Sequence, residues 1–209
     1  MNARESFAAP AATSLSIRIE TERLVLRPPR TADVPRMRQA LRKNAAHLRP
    51  WSVAPAPGDD PASLASVSRS IMRHRREWRQ GLAYVLLIVP RDCDTPVIGR
   101  VALGGILRGA FQNAYLGYWI DVDHQNQGLM TEAVRAATTF AFGSGALHRI
   151  QAAVMPNNAP SQRVLEKVGY RREGVALRYL CIAGSWQDHV LFAVTADEWL
   201  ACSTARGSP

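Results

Sequence analysis

The spacing of apolar positions changes character several times along the chain, and each change marks an element. Leu24-Val25-Leu26-Arg27 ahead of Pro28-Pro29 predicts a first strand. Thr31 to Lys43 then reads as a helix, with Thr31 or Asp33 as its N-cap and Met37 and Leu41 four residues apart on one face. Pro50 to Pro61 contains four prolines and is a loop. Helical spacing returns at Leu64, Val67, Ile71 and Trp78, which predicts a second helix from about Pro61 to Gln80 that Gly81 stops.

After Gly81 the pattern belongs to strands. Ala83 to Val89, a turn at Arg91 to Pro96, and Val97 to Leu107 read as a hairpin, and Tyr115 to Val122 as the next strand. Gly104-Gly105 inside the hairpin's second arm predicts a bulge. A helix from about Leu129 to Phe142, a strand Arg149 to Val154 and a helix from about Ala159 to Val168 follow. Two last strands, about Arg171 to Ile182 and His189 to Val194, turn at Ala183-Gly184. The order β-α-α-β-β-β-α-β-α-β-β has no internal repeat and predicts one α/β domain over residues 17–202. Residues 1–16 and 203–209 are small, polar and aperiodic, and are expected to be mobile tails.

Composition narrows the function classes. At 209 residues, 47% hydrophobic and 21% charged, the chain is long enough to bury a core without disulfide or metal staples. Cys93, Cys181 and Cys202 are odd in number and form neither a C-x-x-C pair nor a zinc spacing, which fits a reduced, cytoplasmic protein. The longest apolar run, Ala83 to Val89, falls far short of the ~20 residues that span a bilayer, and no basic segment leads into an apolar one at the N-terminus. No membrane partner is expected. The net charge of +9 is uneven: residues 1–80 hold 15 basic and 7 acidic side chains, and the remainder 11 and 10. Only Lys43 and Lys167 are lysines. This arginine bias reads either as a GC-rich genome or as attraction to an acidic partner such as nucleic acid, a ribosome or a polyphosphate cofactor; composition does not choose.

Candidate chemistry concentrates in two segments. The first, Trp119-Ile120-Asp121-Val122-Asp123-His124-Gln125-Asn126-Gln127-Gly128-Leu129-Met130-Thr131-Glu132, runs from a strand through a polar loop into a helix with glycine at its start. A helix start offers unpaired N–H groups and a partial positive charge, and glycine lets a phosphate come close to the backbone. This is a pyrophosphate cradle in outline, or else a plain strand-to-helix turn. The second segment, Val154 to Tyr170, places Asn158 and Ser161 three apart where a strand enters a helix, which alone is also an N-cap pattern. Glu132 is read as structural, favoured by the helix dipole. His124 with Asp121 and Asp123 lacks a fourth ligand at useful spacing, so no metal is predicted. His47, His74 and His148 have no partner visible in sequence.

Together the two segments resemble the GNAT acyltransferases, which use acetyl-coenzyme A. Gln125, Gly128 and Met130 fall on that superfamily's Q/R-x-x-G-x-G/A pattern, with Met130 departing from its small residue. Asn158, Ser161 and the run Leu165-Glu166-Lys167-Val168-Gly169-Tyr170 resemble its N-x-x-S and L-E-K-x-G-[FY] stretch. Glu22 to Pro28, His148-Arg149-Ile150 and Trp186-Gln187-Asp188-His189 are most similar to the Rim-type N-terminal alanine acetyltransferases of ribosomal proteins. The likeness covers roughly Ile19 to Leu200.

The resemblance implies a single-domain fold with a central mixed, mostly antiparallel sheet, a splayed strand pair and flanking helices. It implies that Ile120 and Val122 bind the pantetheine arm through their backbone. Gln125, Gln127, Gly128, Leu129, Met130 and Thr131 would cradle the pyrophosphate, and Asn158 would hold a pantetheine amide. Ser161 would face the thioester and assist the departing thiolate. The superfamily's tyrosine acid would fall at Leu165, and the glutamate base of the ribosomal serine acetyltransferases near Leu180, neither of which can serve. Asp188 is the remaining candidate for base and His189 for acceptor binding, each also readable as a turn cap and a surface histidine. Trp51 either walls the acceptor site or covers the core. The expected acceptor is a protein N-terminus, with ribosome association. The alternatives are a small amine or antibiotic, and a basic ribosome- or RNA-binding protein with a vestigial site. No sequence-specific nucleic-acid binding is expected, and the chain is either a monomer or a homodimer.

Overall fold

The computed structural model describes residues 14–93 and 96–206. Eight strands form one sheet: β1 (Ile19–Glu20), β2 (Leu24–Arg27), β3 (Tyr84–Pro90), β4 (Gly99–Leu107), β5 (Asn113–Ile120), β6 (Arg149–Val154), β7 (Arg171–Ile182) and β8 (Ser185–Thr195). Their spatial order is β1-β2-β3-β4-β5-β6-β8-β7, and every pairing is antiparallel except β5 with β6. The helices are α1 (Val34–Lys43), α2 (Ala45–Leu48), α3 (Leu64–Arg79), α4 (Leu129–Phe142), α5 (Ala159–Val168) and α6 (Ala196–Arg206).

The uninterrupted apolar run of β3 has a simple cause, since both faces of that strand are covered. Tyr84, Leu86 and Ile88 join the larger core cluster with Ala133, Val134 and Ala137 of α4, while Leu87 and Val89 meet Met37 and Ala40 of α1 and Val67 and Ile71 of α3 on the other face. Trp78, Tyr84 and Phe140 close one end of the larger cluster, with ring centroids 5.0 to 5.7 Å apart. A buried ion pair fastens β2 to the turn that leads into α1: the Arg27 guanidinium donates to both Asp33 oxygens at 2.7 and 2.8 Å, and Asp33 also accepts the Arg30 N–H. The bulge expected at Gly104-Gly105 is present as a register shift between Gly104 and Leu107, with Gly105 at φ +57°.

Several boundaries differ from the sequence reading. β5 stops at Ile120 because Asp121 leaves the sheet to cap a short turn, its carboxylate accepting the Asp123 N–H at 3.0 Å. β8 begins at Ser185, earlier than expected, because Ala183 and Gly184 both take positive φ, the conformation of a tight hairpin turn. The domain does not end at residue 202, since α6 runs to Arg206. Thr195 and Glu198 start that helix with a reciprocal capping pair. The expected N-terminal tail lies mostly outside the described residues, but its end does not hang free: Leu15 packs against the core.

Candidate active site

β5 and β6 pair only at Asn113, Ala114 and Tyr115 with Arg149, Ile150 and Gln151. Beyond that point the two strands diverge, so Leu116–Ile120 has no ladder on that side. Into the gap opens a cleft of about 490 Å³ whose walls come from α2 and its following turn, β5, the β5–α4 loop and α5. Parting strands leave backbone donors and acceptors unpaired, and an extended ligand can bond them as an added strand would.

The floor at one end is the start of α4. Gly128 takes φ +77° at the N-cap and offers no side-chain cap. The first bond into the helix is from Glu132 N–H to Gly128 C=O. The N–H groups of Leu129, Met130 and Thr131 therefore have no acceptor within the helix and face the cleft these residues line. Met130 is folded into the core cluster beneath it. A tripod holds this end still. Glu132 accepts from Thr21 Oγ1 at 2.6 Å, from Arg23 N–H at 2.9 Å and from Arg23 Nε at 2.8 Å, while Arg23 Nη1 reaches Gln127 C=O. Arg23 Nη2 lies 3.5 Å from where a Cβ at Gly128 would stand. Arg163 and Lys167, one turn apart on α5, add two cations to the same cleft. Unpaired helix N–H groups, glycine and three nearby cations fit a pyrophosphate.

At the other end Asn158 caps α5, its Oδ1 accepting the Ser161 N–H at 3.2 Å. Its Nδ2 makes no hydrogen bond among the described residues and is left for a ligand carbonyl. The Tyr118 hydroxyl crosses the strand gap to donate to Ser161 C=O at 2.9 Å and also meets Ser161 Oγ at 2.9 Å. A phenol has one proton. With that proton on the carbonyl, Ser161 Oγ–H points at Tyr118. Burial pushes the Tyr118 hydroxyl well above its ordinary pKa, despite its bond to Ser161, so it stays protonated.

A polar knot joins the cleft's two rims. Asp121 accepts from Lys43 Nζ at 2.7 Å and from Asn44 Nδ2 at 2.8 Å, and Asn44 Oδ1 accepts the Val122 N–H at 2.8 Å. Burial favours the neutral Asp121 carboxyl. The bonds from Lys43, Asn44, the Asp123 N–H and His124 outweigh it and hold the pKa at about 2. Nearby, His47 Nε2 stands 2.8 Å from Gln125 Nε2, which makes the imidazole nitrogen the acceptor.

Residues 23–171 match the Acetyltransferase (GNAT) domain family. The chain belongs to that family. This acetyltransferase is 34% identical to [Ribosomal protein uS5]-alanine N-acetyltransferase of Escherichia coli over 184 residues, 88% of this chain and 93% of that one. It is 48% identical to Probable N-acetyltransferase YjcK of Bacillus subtilis over 101 residues, which span 48% of this chain and 56% of that one. Among solved structures it resembles Mycobacterium smegmatis RimJ in complex with CoA-disulfide, with 31% identity, a TM-score of 0.75 and coverage of 86% and 89%. That relative binds coenzyme A, the cofactor class the sequence predicts.

Of the residues the sequence singled out, Trp51, Ile120, Gln125, Gly128, Leu129, Met130, Thr131, Asn158 and Ser161 line the acetyltransferase's cleft. Four do not. The Val122 N–H is already spent on Asn44, and Gln127 Nε2 donates to Asp123 C=O while its own carbonyl takes Arg23. Asp188 lines a separate hollow with Arg178 and Trp186, and its carboxylate accepts the Arg178 N–H at 2.7 Å where that residue sits at φ +48°. It caps a bulge and is not placed to take a proton in the cleft. His189 is buried, with Nδ1 against Gln187 C=O and its ring 5.7 Å from that of Tyr179. Conversely, Tyr118, Trp119, His47, His124, Arg163 and Lys167 line the cleft and were not predicted. The i, i+4 pair Arg163 and Lys167 on α5 was the available signal.

Proposed function

We propose that this acetyltransferase moves an acetyl group from acetyl-coenzyme A to the α-amino group of a protein N-terminus, a ribosomal protein's first of all, in the cytoplasm. The observation that carries the reading is the likeness over 88% of the chain to [Ribosomal protein uS5]-alanine N-acetyltransferase of Escherichia coli. The cleft supports it chemically. None of the side chains lining it is a carboxylate. A lysine ε-amine near pKa 10.4 needs a strong base, whereas an α-amine near pKa 8 is already roughly a tenth neutral at pH 7. A weak base on the cleft wall, such as His124, or water suffices for the latter.

In this reading the amine nitrogen attacks the thioester carbonyl carbon, the tetrahedral oxyanion takes hydrogen bonds from unpaired N–H groups of β5, the nitrogen gives up its extra proton to His124 or water, and the C–S bond breaks to leave the amide and the thiolate. Ser161 serves the leaving sulfur. As negative charge grows there, the Tyr118 proton turns from Ser161 C=O to Ser161 Oγ, which frees the serine hydrogen for the thiolate. The chain of donors is Tyr118 to Ser161 to sulfur, with no proton lost from the phenol.

A screen tests the acceptor class directly: peptides beginning with different residues, the same peptides with blocked N-termini and internal lysines, and small amines, each read by mass spectrometry. Acetylation confined to free α-amines is the expected result. Acetylation of small amines with none on peptides would overturn the proposal.

A further inference from the structure

The outward face of α3 is a row of cations with little to neutralise it. Val67, Ile71 and Trp78 are buried and fix one side of the helix to the core. At 3.6 residues per turn, Arg69, Arg73, Arg76 and Arg79 fall within a sector of about 120° on the opposite side and climb roughly 15 Å along the axis. All four are exposed. Arg69 bonds only Ser66 Oγ, Arg73 has Glu77 no nearer than 3.8 Å, and Arg76 and Arg79 make no ion pair among the described residues. α1 packs beside α3 over the same face of the sheet and adds Arg42, exposed and likewise without an ion pair among the described residues. His74, half-buried on α3, registers the field: burial first, then Arg100 and Arg73, lower its pKa to about 4.

Residues 30–80 hold eleven basic and four acidic side chains. Of the acids, Asp33 is buried against Arg27, Asp59 and Asp60 stand in the loop before α3, and Glu77 lies at the edge of the row. A GC-rich genome turns lysine into arginine, but it does not clear acids from one face of a helix. Like charges three and four residues apart repel, so the row is destabilising until an anion covers it. We propose that this face of α3, with Arg42 of α1, binds the phosphate backbone of double-stranded RNA regardless of its sequence. The chemistry of the row selects that partner. An acidic protein calls for an interface with an apolar centre, and Met72 is the one large apolar side chain in the row. A lipid surface needs an apolar helix face to insert, and that of α3 is spent on the core. The aromatic residue of α3, Trp78, is buried and cannot stack on bases. What remains is the run of phosphates along a duplex, each matched by the fork of an arginine. The choice of RNA over DNA rests on the ribosomal acceptor proposed above; the existence of the surface does not.

Fluorescence anisotropy of a labelled RNA duplex of roughly 20 base pairs, without cofactor or acceptor, tests the surface between about 50 and about 300 mM KCl. The wild type should bind with a Kd in the micromolar range near physiological salt, and log affinity should fall against log salt with a slope of about −4, roughly one unit per phosphate neutralised. Arg69→Gln, Arg73→Gln, Arg76→Gln and Arg79→Gln combined should weaken binding by at least about tenfold at about 100 mM KCl and flatten the slope by about three. Coenzyme A affinity should not change, and the melting temperature should stay close to that of the wild type, since only exposed side chains are altered. Should the combined variant fold poorly, Arg73→Gln and Arg76→Gln taken singly should each remove about one unit of slope.

No binding of the duplex at about 50 mM KCl overturns the proposal. So does an unchanged slope in the variants, which would place the RNA contact elsewhere on the molecule. Equal or tighter binding of a poly-glutamate peptide of matching charge overturns the RNA assignment in favour of an acidic protein, and tighter binding of a DNA duplex of the same length overturns it in favour of DNA. The anisotropy assay contains no acceptor, so the two readings fail separately. If no α-amine is acetylated while the arginine-dependent RNA binding holds, the proposed function falls and the surface stands; if α-amines are acetylated and RNA is not bound, the surface falls alone.

Discussion

The two sides of the cleft are built differently. The side proposed for the cofactor consists of contiguous segments in which backbone geometry predominates: one glycine at φ +77°, the open first turn of α4, and an asparagine cap on α5. The opposite side is assembled from side chains far apart in sequence, Lys43 and Asn44 with Asp121 and His47 with Gln125. A site made of backbone is fixed by local geometry and suits a ligand that never changes. A site made of converging side chains is free to follow its acceptor.

The largest effect is expected on the cofactor side. Gly128→Asp puts a side chain at a left-handed backbone position and a carboxylate at the cradle, so coenzyme A should bind at least about a hundredfold more weakly by calorimetry. The melting temperature should drop only modestly, because an acidic residue is welcome at a helix start. Unchanged affinity would remove the cradle assignment. Next in size, Ser161→Ala should lower kcat by about tenfold to a hundredfold with little change in coenzyme A affinity, and Tyr118→Phe by somewhat less, since the serine keeps its own proton. Tyr118→Phe matching wild-type kcat would make the phenol a spacer.

The smallest effect is a difference in acid stability between His74 on α3 and the Asp121 knot. His74 stays neutral in the fold down to about pH 4, whereas the unfolded chain takes up the proton near the ordinary value of 6.5. Its contribution is therefore complete above pH 6.5 and lost as pH falls toward 4. Asp121 loses its contribution in the same direction but at lower pH: it is present above the ordinary 3.8 and lost as pH falls to about 2. Unfolding free energy measured against pH should thus decline first between 6.5 and 4, a decline that His74→Gln flattens, and only then through the Asp121 knot. A decline in the upper window that survives His74→Gln would assign it elsewhere.

The same division explains what was legible in the chain. Gln125-x-x-Gly128 and Asn158-x-x-Ser161 announce their geometry through local chemistry, and periodicity placed the long elements because each buries a continuous apolar face. Tyr118 and Trp119 read as ordinary strand residues, since nothing local says that β5 and β6 part after Tyr115. α2 has four residues, too few to show a period. α6 did carry a signal, the Thr195-x-x-Glu198 capping pair, hidden by the strand that runs directly into it. Val122 and Asp188 fail for another reason: a motif gives the residue and its spacing, but not whether its hydrogen-bonding groups are already taken.

The central claim is that acetyl-coenzyme A enters the gap between β5 and β6 and rests on the first turn of α4. Amide hydrogen exchange with and without coenzyme A tests it most directly. The account predicts added protection at residues 116–120, 128–132 and 158–162, with α3 and the β7–β8 turn unchanged. Protection concentrated on α3 or on that turn, with none at the start of α4, would contradict it.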